Sequence, residues 1–169
     1  DELNTEECFR VIDQIAEVNP NAFLILTGGE PLLRPDIYEI IRYAADKKFM
    51  VVLGTNGTMI NRVNAEKIKA AGAHGVGISI DSMNPDKHNK FRGVDKAWEL
   101  SMDAFDILNE VGVDFLVQMS VSDMNYKEIP EVVEFTEKIG AIAFNLYFLV
   151  CTGRGQGNTD ISNAAYEEA

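Results

Sequence analysis

What most limits the fold of this chain is a repeated alternation of short apolar runs with amphipathic segments. The runs are Phe23-Leu24-Ile25-Leu26, Met50-Val51-Val52-Leu53, Val76-Gly77-Ile78-Ser79-Ile80, Phe115 to Val121 and Phe144 to Val150. Continuous apolar runs of this length read as strands buried on both faces of a sheet. Between them lie helical patterns. Phe9, Ile12, Ile15 and Ala16 recur at helical spacing within Thr5 to Val18, with Thr5 as the N-cap, and Ile37, Ile40, Ile41 and Ala44 do so after Asp36. Further helices are expected over Arg62 to Ala71, Val94 to Val111 and Tyr126 to Ile139, with a long loop before Val94. Strands alternating with helices in this way form right-handed βαβ units and a parallel sheet. About five strands cannot close an eight-stranded barrel, so the candidates are a partial barrel and an open doubly wound sheet. No GxGxxG turn is present, which weighs against the second. The fold class expected is α/β, a partial (β/α) barrel of about five parallel strands with outer helices.

An apolar fraction of 46% over 169 residues suits one core, and residues 1–169 are read as a single domain. The net charge of −12 is spread along the chain, without the clustered basic face that nucleic acid requires. No apolar stretch approaches the roughly 20 residues of a membrane span, and no leader is evident, so the expected location is cytoplasmic. The two cysteines, Cys8 and Cys151, are too far apart in sequence for a CxxC metal site and imply no disulfide framework. The start at Asp1 and the helix-like end at Asn163 to Ala169 suggest a piece of a longer protein.

In parallel α/β folds the carboxyl ends of the strands share one rim, where ligand sites are built. Here the rims read Thr27-Gly28-Gly29-Glu30, Gly54-Thr55-Asn56-Gly57, Ser79-Ile80-Asp81-Ser82, Ser120-Val121-Ser122-Asp123 and Cys151-Thr152-Gly153-Arg154-Gly155. Each alone fits helix caps and turns. Together they place polar side chains along one edge.

Motif detail narrows the reading. Thr27-Gly28-Gly29-Glu30-Pro31-Leu32-Leu33 resembles the TGGEPLL segment of radical S-adenosylmethionine (SAM) enzymes. Thr55-Asn56-Gly57 resembles the family's TNG loop, Ser79-Ile80-Asp81 its SxD strand end, and Pro85 to Gly93 its loop ending in FRG. Phe148-Leu149-Val150-Cys151-Thr152-Gly153-Arg154-Gly155 is similar to FLVPTGRG of haem-biosynthesis members, whose relatives commonly carry a C-terminal SPASM-type domain with extra clusters. These matches fall in order from about Leu3 to the C-terminus.

The resemblance implies that Gly28, Gly29 and Glu30, with Pro31 beside them, hold the methionyl ammonium of SAM. Ser79 and Arg92 would face its carboxylate, Arg92 through a two-pronged contact. Thr55 and Asn56 would line the same pocket, Gln118 would sit near the ribose, and the backbone around Leu149 near the adenine. Asp81 is read as capping a loop. The family's cofactors are SAM and a [4Fe-4S] cluster, and its partners an electron donor and a small-molecule or peptide substrate. The cluster needs three thiolates of a CxxxCxxC motif that this sequence lacks. The chain by itself is therefore expected to be inactive.

Other features are read more plainly. His74 lies at the rim opposite the chemistry, His88 is expected to be solvated in the long loop, and Gly153 to Gly157 is read as a turn with Arg154 toward the substrate. The competing reading is a non-redox α/β barrel domain that binds a phosphorylated metabolite or serves as scaffold.

Overall fold

A computed structural model describes residues 2–149 and 162–168. Five strands form one sheet in the order β1-β2-β3-β4-β5, every pair parallel. They are β1 (Phe23–Leu26), β2 (Met50–Thr55), β3 (Gly75–Ser79), β4 (Phe115–Val121) and β5 (Phe144–Phe148). The helices are α1 (Thr5–Val18), α2 (Ile37–Asp46), α3 (Arg62–Ala70), α4 (Pro85–Arg92), α5 (Ala97–Val111), α6 (Ile129–Lys138) and α7 (Asn163–Glu168). The sheet curls into a half-barrel with the helices around its outside, as the repeat of apolar strands implies.

Register and pleat divide the sheet into two faces. Val51, Leu53, Val76, Ile78, Val117 and Met119 point one way and are fully buried under the helices. Opposite them lie Phe23, Ile25, Met50, Val52, Gly54, Gly77, Ser79, Leu116, Gln118, Ser120, Asn145 and Tyr147. This second set lines the concave wall. It is apolar near the amino ends of the strands and polar or without a side chain near the carboxyl ends.

The first strand departs from expectation. Phe23 and Ile25 are 54% and 42% exposed, because β1 is an edge strand among the described residues and its concave face is open. The residues expected as a long loop contain α4. Asn84 caps it through the Lys87 N–H, Pro85 supplies a preset first turn, and Gly93 ends it in a left-handed conformation at φ 65°. Helix α1 is capped by Asn4 rather than Thr5. The Asn4 side chain accepts from Glu7 N–H and Glu7 returns a bond to the Asn4 N–H, while the Thr5 hydroxyl donates to Asp36.

Candidate functional site

The turn after β1 is organised by Glu30. Gly28 and Gly29 are exposed, and a side chain at either would meet nothing, so the backbone is open to a ligand. Glu30 then caps the short 3-10 turn Pro31–Leu33, accepting from Leu32 N–H at 3.1 Å. The same carboxylate accepts from the Thr55 hydroxyl at 2.7 Å and from Asn56 N–H at 2.9 Å, both at the end of β2. Three protein donors on a carboxylate leave about one acceptor position free. Pro31 and Thr55 are buried, and Thr55 also accepts from Gly57 N–H. Asn56 turns its side-chain oxygen back onto Thr58, so its part in joining the two rims is played by its backbone.

Gly28, Gly29, Glu30 and Pro31 open onto a cleft of about 950 Å³ beside the start of α1, lined also by Cys8 and Arg34. Arg34 grips Asp36 with two nitrogens, at 2.7 and 2.8 Å, and reaches the Leu3 carbonyl at 2.8 Å. Arg34 first, and then the Thr5 hydroxyl, hold the Asp36 carboxyl below its usual range.

Farther along the rim, Ser79 and Gln118 are register partners on the concave face. Gln118 lies across Gly77, where any Cβ would fall 2.9 Å from its amide group, and its amide nitrogen is 3.4 Å from the Tyr147 hydroxyl. Leu149 continues the ladder past β5, donating to the Val121 carbonyl at 2.9 Å. The segment from Val150 to Gly155, with Cys151 and Arg154, lies outside the described residues, as does Gly157.

The third rim holds what the linear pattern does not reveal. Asp81 is 1% exposed, and its carboxylate accepts from Arg92 Nε at 2.5 Å and from Ser120 N–H at 2.9 Å. Its backbone N–H donates to His88 Nδ1 at 3.2 Å, and its carbonyl accepts from Asn125 at 2.8 Å. Asp81 thus does more than cap a loop. His88, expected in solvent, is 1% exposed, because α4 lays it against the end of β3. A signal for this does exist in the sequence: Asn84, Pro85 and Gly93 mark a helix that puts His88 and Arg92 one turn apart on one face. His74 is exposed and bonds the backbone of Val51, a structural role at the far rim.

Burial pushes the His88 imidazole below its ordinary value of 6.5, against the attraction of nearby Asp81. The folded chain therefore keeps His88 neutral where an unfolded chain would protonate it. That contribution to stability is complete above 6.5 and is lost as pH falls from there toward the lower folded value. Urea unfolding between about pH 7.5 and pH 5 should show a fall in stability that His88→Asn flattens. Parallel pH profiles for the two proteins would contradict this.

A family model described as the Radical SAM superfamily matches residues 1–136. The chain belongs to the radical SAM superfamily. Family membership decides against the non-redox barrel domain as the alternative. The chain is 40% identical over 166 residues to an AdoMet-dependent heme synthase of Methanosarcina barkeri, covering 98% of this chain and 47% of that protein. It is 34% identical over 165 residues to an Fe-coproporphyrin III synthase of the same organism, covering 95% and 40%. The chain thus spans about half the length of the curated relatives it matches. Streptococcus suis SuiB bound to S-adenosylmethionine shares the fold, with a TM-score of 0.82 at 18% identity over 99% of this chain and 39% of that one.

Radical SAM enzymes use S-adenosylmethionine and a [4Fe-4S] cluster. Open glycine backbone and a partly free carboxylate after β1, and a guanidinium held at the end of β3, are of the chemistry that the amino-acid end of the first would need, although Ser79, Arg92 and Gln118 do not line the cleft at Gly28 to Pro31. The rim does not supply the ligands of the second: among the described residues no group of three or more Cys, His, Asp or Glu could hold a metal. No helix among them is long and apolar enough to cross a membrane.

Proposed function

We propose that this chain forms the SAM-binding rim of a radical SAM enzyme of the SPASM-type branch, acting in the cytoplasm in the biosynthesis of haem or a related cofactor. In this reading the Gly28-Gly29 backbone and the free acceptor position of Glu30 take the methionyl ammonium. Ser79 and the terminal nitrogens of Arg92 take the carboxylate. Gln118 meets the ribose and the Leu149 backbone the adenine. Thr55 and Asn56 act by holding Glu30, and Pro31 by starting the turn that Glu30 caps. The observation that carries the reading is the Glu30 carboxylate, fixed by donors from two rims beside an exposed Gly-Gly backbone.

Chemically, an ammonium on a carboxylate and a carboxylate on a guanidinium are charge-assisted bonds, which orient the methionyl group at both ends. A [4Fe-4S] cluster, when bound in the full-length protein, would supply the electron for reductive cleavage of SAM. The chain's own part is to bind and orient the nucleoside and to keep water out. An electron donor and a small-molecule or peptide substrate are the implied partners, and the reaction class is oxidoreductase. The relatives' names, heme synthase and Fe-coproporphyrin III synthase, support the haem branch. The 169-residue chain alone is expected to bind SAM weakly and cleave none. Anaerobic incubation of the full-length protein with SAM and dithionite should give 5′-deoxyadenosine and methionine, and SAM recovered intact would overturn the reading.

A further inference from the structure

We propose that Asp81 and His88 are positioning residues for Arg92, setting where its terminal nitrogens present themselves to the carboxylate of SAM. The inference rests on the proposed contact between Arg92 and that carboxylate. Asp81 is held at every polar group: its N–H by His88, its carbonyl by Asn125, one carboxylate oxygen by Ser120 N–H and the other by Arg92 Nε. A buried carboxylate fixed on its backbone and on one oxygen cannot swing, so the guanidinium bound to its other oxygen is anchored at Nε.

The form of the Asp81–Arg92 contact separates positioning from simple neutralisation. A pair built only to neutralise a buried carboxylate gains most from two parallel bonds, one to each oxygen. Here the sheet backbone takes one oxygen, and Arg92 reaches the other through Nε alone. Among the described residues its two terminal nitrogens have no protein acceptor, and the side chain is 24% exposed. Nε is engaged and the terminal pair is presented, which is the end-on geometry for a second carboxylate.

His88 fixes the helix that carries Arg92. The two are four residues apart on α4, hence on one face, and His88 is buried against Asp81. Because Nδ1 accepts the Asp81 N–H, Nε2 carries the ring proton, and Nε2 is buried without a partner among the described residues. An apolar ring would fill the same space without an orphaned donor. Packing alone does not call for an imidazole; an acceptor at Nδ1 does.

The test compares two ligands on the full-length holoprotein by titration calorimetry. S-adenosylhomocysteine carries the amino-acid moiety, and 5′-methylthioadenosine lacks it. Asp81→Asn and His88→Phe are each expected to weaken S-adenosylhomocysteine about tenfold and to change 5′-methylthioadenosine less than about twofold. His88→Asn, which restores an acceptor near the Nδ1 position, should recover most of the loss. Should Asp81→Asn fail to fold, the His88 pair carries the test. If Arg92→Ala leaves S-adenosylhomocysteine binding unchanged, the carboxylate reading falls and this inference with it. If Arg92→Ala weakens it while the His88 and Asp81 variants do not, only the positioning role falls. Equal losses for both ligands would mark a merely structural role and would also overturn the proposal.

Discussion

Glu30→Ala is expected to lower stability by about 2–4 kcal/mol and to weaken SAM binding by the full-length protein at least about tenfold. The stability loss follows from three donors left without an acceptor: the N–H groups of Leu32 and Asn56 and the Thr55 hydroxyl. Thr55 is buried, so its hydroxyl has no water to turn to. Glu30 is only half-buried, which keeps the loss below three full desolvation penalties. Glu30→Gln separates the two effects. It keeps one acceptor but sets an NH2 group against either Asn56 N–H or the Leu32–Thr55 pair, and it removes the charge that an ammonium would meet. Gln should therefore recover part of the stability and little of the affinity. Urea unfolding read beside calorimetry decides it, and an alanine variant with an unchanged unfolding midpoint would show that the Glu30 knot does not hold the two rims.

Phe105→Ala should cost about 3–5 kcal/mol and lower the thermal midpoint by roughly 10 °C. Phe105 lies on α5, 2% exposed, with its ring 5.1 Å from Phe115 of β4 and 5.8 Å from Phe135 of α6. Three elements meet on that one ring, so truncation leaves a cavity that no single neighbour can fill. Because the ring packs on the convex side of the sheet, the folded variant should keep its SAM affinity. Circular dichroism melting is sufficient, and a drop of less than about 3 °C would mean that the outer helices repack.

The strands and their order are legible because apolar runs such as Met50 to Leu53 admit few alternatives, and their parallel sense follows from the helices between them. What escapes is set by contacts distant in sequence. β1 has the composition of a central strand, and nothing within Phe23 to Leu26 says that one face lies open. α4 reads as loop because its residues are mostly polar and its one buried side chain is a histidine. Hydrophobic periodicity cannot find such a helix, although its caps can. At the site, rim positions can be placed from the strand ends. The partners cannot: Glu30 with Thr55, and Asp81 with Arg92 and Ser120, are joined only once the sheet exists.

The concave wall has an electrical consequence. From Phe23 through Val52, Gly77 and Gln118 to Tyr147, its inward positions among the described residues carry no formal charge. Formal charge lies instead at its lip, on Glu30 and on the Asp81–Arg92 pair, with Arg34 and Asp36 in the cleft beside Glu30. Low-dielectric walls focus the field of such charges rather than dissipate it. A zwitterionic headgroup arriving there meets charge at the lip, while an uncharged remainder faces a wall without formal charge. Added salt should therefore slow the capture of a ligand that bears the amino-acid group and leave a neutral nucleoside unaffected.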